Sequence, residues 1–241
     1  MIPGLRLVFV ATLASTFGLS ALGQTPAPSA PPAGTPPTAA TDSTVPSDPA
    51  APMLKQAYDM VTHNNLDGAL TLVNDAVKNN PKSFAALTLR GMIYSQKKDW
   101  INAQSDFNSA LTLDPNNMVV KFNLGEICFV QKQYDQARAR FLPLESDPAM
   151  GDFATYKVFL CDLFGGHEDV AAKELAVFNS VESHPSYYFG NAAWDLYNKK
   201  TEDARGWLQS AANIYIPAKN QFYSQSLRDL GYLPLPPPPS Q

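Results

Sequence analysis

Between residues 53 and 214, apolar and small side chains recur with two superimposed periods. The short period is helical. From Phe84 to Gln96 the positions Leu87, Gly91 and Tyr94 fall three and four apart, and after a polar break at Lys97-Lys98-Asp99 the spacing resumes at Ala103, Phe107, Ala110 and Leu111. Asp114-Pro115-Asn116-Asn117 stops this second helix, because proline has no amide to donate and disfavours helical geometry in the residue before it. The long period is 34 residues: it relates Pro81 to Pro115, Ala69 to Ala103 and Ala137, Val73 to Phe107 and Phe141, Ala76 to Ala110, and Gly91 to Gly125. Self-similarity at a fixed period predicts an array of helical pairs, each burying its apolar face against its neighbours.

The segment Ala86-Leu87-Thr88-Leu89-Arg90-Gly91-Met92-Ile93-Tyr94, followed by Asp99-Trp100, Ala103, Phe107, Ala110 and Asp114-Pro115, resembles a tetratricopeptide repeat. A third unit resembles it through Asn123-Leu124-Gly125-Glu126, Tyr134-Asp135, Ala137 and Phe141, and a first, from about Pro52 to Pro81, through Ala57, Leu66, Ala69, Val73 and Ala76. A fourth unit (about Phe153 to His184) departs at the glycine position, where Leu160 stands; a fifth runs from about Ser186 to Ile214. The resemblance implies an all-α fold over residues 53–230: a right-handed α-solenoid of about five helix-turn-helix units. Phe222, Leu227 and Leu230 add a C-terminal capping helix. Pro143 lies inside the second helix of unit three and predicts that this helix is short or kinked, with a change of twist between units three and four.

The two ends differ in composition from the repeats. Met1 to Gly23 carries a lone Arg6, an apolar stretch from Leu7 to Leu22 and the small-residue run Ala21-Leu22-Gly23, the layout of a secretory signal peptide. The alternative is an uncleaved anchor, since the stretch is nearly long enough to cross about 30 Å of hydrocarbon. Thr12, Ser15, Thr16, Gly18 and Ser20 dilute the stretch and favour cleavage, so a periplasmic or secreted protein is expected, with no membrane span left once the signal is cut. Residues 24–52 are rich in proline, alanine and threonine and read as a disordered, semi-extended linker. Residues 231–241 form a proline-rich tail of polyproline character: either a frayed end or a ligand for an aromatic groove, including intramolecular docking on this protein's own.

Charge and chemistry narrow the function by exclusion. A net charge of −4 without a basic stripe argues against nucleic acid and anionic membranes as partners. His63, His167 and His184 are too scattered for a metal site. Cys128 and Cys161 can form a disulfide only if their Cα atoms come within about 7 Å; otherwise they are small buried residues. Cys161 and His167 could be imagined as nucleophile and base, but no third residue orients the imidazole. Phosphate loops, nucleophile elbows and paired-histidine zinc motifs are absent, so no catalytic set and no cofactor are expected. Asp67, Asp99, Asp135, Glu168-Asp169 and Glu202-Asp203 fall where second helices begin, as caps or as partners of the positive helix terminus.

The resemblance further implies that the first helices line a concave groove for an extended peptide or a helix. The residues expected to face it are Leu54 and Tyr58 in unit one, Thr88 and Met92 in unit two, Phe122, Glu126 and Phe129 in unit three, and Lys157 and Phe164 in unit four. The clamp for C-terminal carboxylates found in some family members needs lysine and asparagine where Leu54, Tyr58, Thr88 and Met92 stand, so that activity is not transferred. An apolar, aromatic lining points to a hydrophobic or proline-rich peptide, although about half of these side chains are expected to be buried between repeats. The function expected is an exported adaptor or scaffold with a protein or peptide partner. The alternative is an envelope chaperone or carrier for hydrophobic segments or lipid.

Overall fold

Side-chain acceptors precede four of the helices in the first three units, and they set where those four start. Asn65 accepts from the Gly68 amide at 3.1 Å, Ser83 from Ala86 at 3.2 Å, Asp99 from Asn102 at 3.3 Å and Asn117 from Val120 at 3.1 Å. Each satisfies one of the amides that a first helical turn leaves free. The computed structural model describes residues 50–180 and 182–235, and the regular structure among them is helical. The α-helices are α1 (Ala51–Thr62), α2 (Leu66–Asn79), α3 (Phe84–Gln96), α4 (Trp100–Leu113), α5 (Met118–Val130), α6 (Tyr134–Phe141), α7 (Gly151–Gly165), α8 (Glu168–Phe178), α9 (Pro185–Tyr197), α10 (Thr201–Ile214) and α11 (Pro217–Asp229). Helices α1 to α10 pair in order into five helix-turn-helix units, and neighbouring units touch through their first helices, α1 on α3, α3 on α5 and α7 on α9. This is an α-solenoid. The expected signal peptide, most of the linker and residues 236–241 of the tail lie outside the described residues.

One turn geometry repeats in every unit. Asn64, Lys98, Lys132, Gly166 and Lys199 have φ between 60° and 90° and stand 34, 34, 34 and 33 residues apart. The amide following each one reaches back five residues, from Asn65 to Met60, Asp99 to Tyr94, Gln133 to Cys128, His167 to Asp162 and Lys200 to Asp195, at 2.7–2.9 Å. These are Schellman turns, which satisfy the last carbonyls of a helix and reverse the chain within three residues. Of the acids expected at the second-helix starts, Asp99 alone caps with its side chain; Asp67, Asp135, Glu168, Asp169, Glu202 and Asp203 lie inside the first turn, where they complement the helix dipole.

Within units two and three the paired helices approach over glycine. A Cβ added to Gly91 would lie 2.8 Å from the Phe107 ring, and one added to Gly125 would lie 2.6 Å from that of Phe141. Both rings are fully buried. Counted from the left-handed turn residue, the equivalent position in unit four is Phe159 rather than the expected Leu160, and its ring packs edge-on against Phe178 with centroids 5.3 Å apart. The helix containing Pro143 is short, as the proline predicts: α6 has eight residues and passes into a 3-10 turn at Leu142–Leu144. The chain then turns through Asp147, whose Oδ1 accepts from the Ala149 and Met150 amides, into α7.

The last helix packs on the last unit, as expected of a cap, and reaches beyond it. An extended break at Tyr215 and Ile216 separates α10 from α11, and α11 lies on the inner side of the array as well as on the last unit. Its Phe222 meets Phe153 of α7 with centroids 4.0 Å apart, and its Tyr223 packs on Phe153, Tyr156 and Phe189. The reason is complementarity. The apolar stripe of α11 is aromatic, and the aromatic surface able to receive it belongs to α7 and α9 rather than to α10. Two boundaries shift accordingly: the repeats begin at Ala51, not 53, and the tail remains packed as far as Leu235 through Tyr232, Leu233 and Leu235.

Candidate functional site

The first helices place the nine expected groove residues at three depths. Leu54 and Tyr58 are half-buried against the core of the first units. Met92, Phe122, Phe129 and Lys157 are buried outright, the last at 0% exposure, and are therefore core positions. Thr88 and Glu126 are partly covered, and Phe164 is half-buried between Tyr197 and Tyr232, with centroids 5.7 and 5.4 Å away. The structure thus brings Phe122, Glu126, Phe129 and Lys157 together at the centre of the inner face and leaves Leu54, Tyr58 and Phe164 towards its ends.

Lys157 is the electrostatic centre of this face. Its Nζ lies 2.7 Å from Glu126 Oε1 and 3.4 Å from the centroid of the Phe129 ring, and it donates to Ser226 Oγ of α11 at 3.2 Å. A buried ammonium is tolerable only when paired, and here a carboxylate, a π face and a hydroxyl share it. Burial pushes the Glu126 carboxyl above the usual range; Lys157 pulls it back, and the nearby Asp229 carboxylate adds to the rise. One turn beyond Lys157, burial raises the Cys161 thiol to about 12, so it stays protonated at neutral pH and is no nucleophile. Cys128 and Cys161 are both free and buried.

Beside the covered centre lies an open pocket of about 80 Å³ between α3, α5 and α11. Met92, Trp100, Ile127 and Val130 supply its apolar walls, with Glu126 and Asp229 at one side. The side-chain amides of Gln96, Asn123 and Gln225 also line it, and each holds a buried atom without a hydrogen-bond partner. An unmade buried hydrogen bond costs about 1–3 kcal/mol, so three around one pocket single it out among the described residues. Gln96 and Val130 could have been found from sequence, being one helical turn beyond Met92 and Glu126 on the same face. Gln225 and Asp229 could not, because only the fold-back of α11 brings them here. A larger cavity of about 250 Å³ at the α5–α6 turn is lined by Lys132, Gln133, Asp135 and Gln136 and has no comparable apolar wall.

No protein-family model and no curated protein matches the sequence, whereas solved structures match the fold. YrrB, a TPR protein with an unusual peptide-binding site, aligns with a TM-score of 0.51 at 20% identity, over 74% of this chain and 92% of its own. PilW, a type IV pilus biogenesis factor, aligns with a TM-score of 0.57 at 20% identity, over 76% of this chain and 87% of its own. This chain has the tetratricopeptide-repeat fold. PilF of Pseudomonas aeruginosa aligns similarly, with a TM-score of 0.55 at 16% identity, over 76% of this chain and 86% of its own. In this tetratricopeptide-repeat array the pocket lies on the surface formed by the first helices, where α3 and α5 meet, and α11 forms its third wall. Among the described residues no helix is long and apolar enough to cross a membrane.

Proposed function

We propose that this chain is an exported protein-interaction scaffold that takes a peptide or helix on its inner face, entering at the pocket between α3 and α5. The observation that carries the reading is the set of unpartnered amide atoms on Gln96, Asn123 and Gln225 around an apolar pocket. Backbone amides and carbonyls of a bound chain would satisfy those atoms, while an apolar side chain fills the space between Met92, Trp100 and Val130. The likeness to YrrB, with its peptide-binding site, supports the choice of ligand, and the likeness to PilW supports an envelope setting. The layout of Met1 to Gly23 supports export independently of the fold. A volume of about 80 Å³ suits one side chain; pockets that enclose drug-sized ligands span roughly 300–1,000 Å³, which favours a peptide over an acyl chain.

The test is a displayed peptide library selected on the purified chain, with enriched peptides titrated against wild type, Gln96→Leu and Asn123→Leu. Each substitution should weaken binding by about tenfold, the worth of one to two hydrogen bonds. Enriched peptides indifferent to both changes, or no enrichment at all, would reject the pocket as the entry site. Export has its own measurement. Produced with its own leader in an exporting host, the chain should have a mass starting at Gln24, and an intact amino terminus in the membrane fraction would support the anchor instead.

A further inference from the structure

The inner face of units three to five is covered by the chain's own last helix, and that helix is built like a ligand rather than like a core element. In Pro217–Asp229 the apolar stripe is narrow, limited to Phe222, Tyr223 and Leu227. The same buried side carries Ser224 and Ser226, and at its margins Asn220 Oδ1 and Gln225 Oε1 have no hydrogen-bond partner. Beneath it lies the Glu126–Lys157 ion pair, whose ammonium sits over the Phe129 ring and donates to Ser226 of α11. A permanent core would be at least as stable with an apolar pair at these positions, since desolvating two charges consumes most of their attraction. In a face that opens, the pair becomes a solvated recognition element beside the Phe129 and Phe141 rings. The attachment also permits movement. The connection from α10 is the two extended residues Tyr215 and Ile216, with Ile216 71% exposed, so α11 can swing out without unwinding either helix.

We infer that α11 with residues 230–235 is an exchangeable cis-ligand of the inner face. The partner that replaces it is an amphipathic helix carrying an aromatic pair and, four residues after the first aromatic, a carboxylate for Lys157. This rests on the inner face being the binding surface, with Gln96 and Asn123 as the pocket amides that stay when α11 takes Gln225 away, and it deepens that reading by naming the partner's chemistry. The pattern is read from the occupant: Phe222-Tyr223 fills the aromatic slot, and Ser226, four residues on from Phe222, meets Lys157 Nζ. When α11 leaves, Ser226 leaves with it, so Lys157 has a donor position open for a new acceptor beside Glu126, and Glu126 loses the neighbouring Asp229 carboxylate. An aspartate or glutamate in place of the serine converts a neutral acceptor into a charged one, roughly doubling the strength of that bond. A trans helix of this pattern therefore competes with α11 despite the high local concentration of the tethered one.

Hydrogen exchange on the full chain tests the opening without any substitution. The amides of α11 should exchange about a hundredfold faster than those of α7 and α9, as for a unit that detaches below global unfolding. Exchange of α11 at the slow rate of α7 and α9 would make it a fixed core element and overturn the proposal. A synthetic peptide of residues 216–235 tests the chemistry: with Ser226→Asp it should bind the full chain about tenfold tighter than the unaltered peptide. With Ser226→Lys it should not bind. Phe222→Ala in the full chain should tighten the trans peptide at least tenfold by loosening the cis helix. Equal affinities for all three peptides would overturn the lysine–carboxylate contact, and a concentration-dependent dimer with protected α11 would make a second copy the occupant instead. If α11 stays closed while library peptides still depend on Gln96 and Asn123, the exchange idea fails and the scaffold reading stands; if those peptides are lost as well, both fail.

Discussion

Glycine and phenylalanine face each other across units two and three, and the distance between them leaves no room for a methyl group. A Cβ at Gly125 would lie 2.6 Å from the Phe141 ring, which also packs on the Phe122 ring of the same helix as Gly125. Gly125→Ala should therefore lower stability by about 1–3 kcal/mol in urea unfolding, although alanine is the better helix former. The cause can be separated from backbone effects by adding Phe141→Leu, which creates space for the methyl. The double mutant should be more stable than the sum of the single changes predicts, by about 1 kcal/mol. Strict additivity would remove steric conflict as the explanation. Gly91 and Phe107 could be read as this kind of pair from their 34-residue echo in Gly125 and Phe141. Lys157 could not be read so well: its helical position was legible, but its burial under Ser226 depends on a residue 69 positions away.

At the scale of elements, turn chemistry accounts for more of the architecture than helix propensity does. Five Schellman turns hold their αL residue at Asn64, Lys98, Lys132, Gly166 and Lys199, and only one of these is glycine. A side chain in that conformation costs roughly 1–2 kcal/mol, offset in part by the lower chain entropy of a non-glycine residue. Lys132→Gly should accordingly stabilise the protein by about 0.5–1 kcal/mol in thermal or chemical unfolding. A loss of stability would show that the lysine side chain contributes more than its backbone conformation costs. The shortness of α6 has an equally local cause in Pro143, and so was readable in advance. Which residue replaces glycine in unit four was readable too: the 34-residue period carries Gly91 and Gly125 to Phe159, and the turn at Gly166 places it there.

Among the described residues the core falls into two large hydrophobic clusters and a small one at Ala50, Ala76 and Ala86. One joins the first two units to the start of the third, and the other joins units three to five with α11 and the tail. The first is a chain of nearest neighbours, as expected of a solenoid. The second is closed by a long-range contact, because α11 returns over α7 and α9 and reaches the pocket beside α3 and α5. The sequence by itself determined the all-helical class, the five units and the interruption at Pro143, because each depends on residues within one 34-residue period. Only the tertiary structure decided that Met92, Phe122, Phe129 and Lys157 are covered, that Gln225 and Asp229 join the pocket, and that the last helix occupies the inner face instead of only capping the end. An amphipathic stripe states that a helix needs a partner surface, and nothing local to α11 distinguishes the end of the array from its interior. That choice depends on which aromatic side chains the preceding units have already brought together.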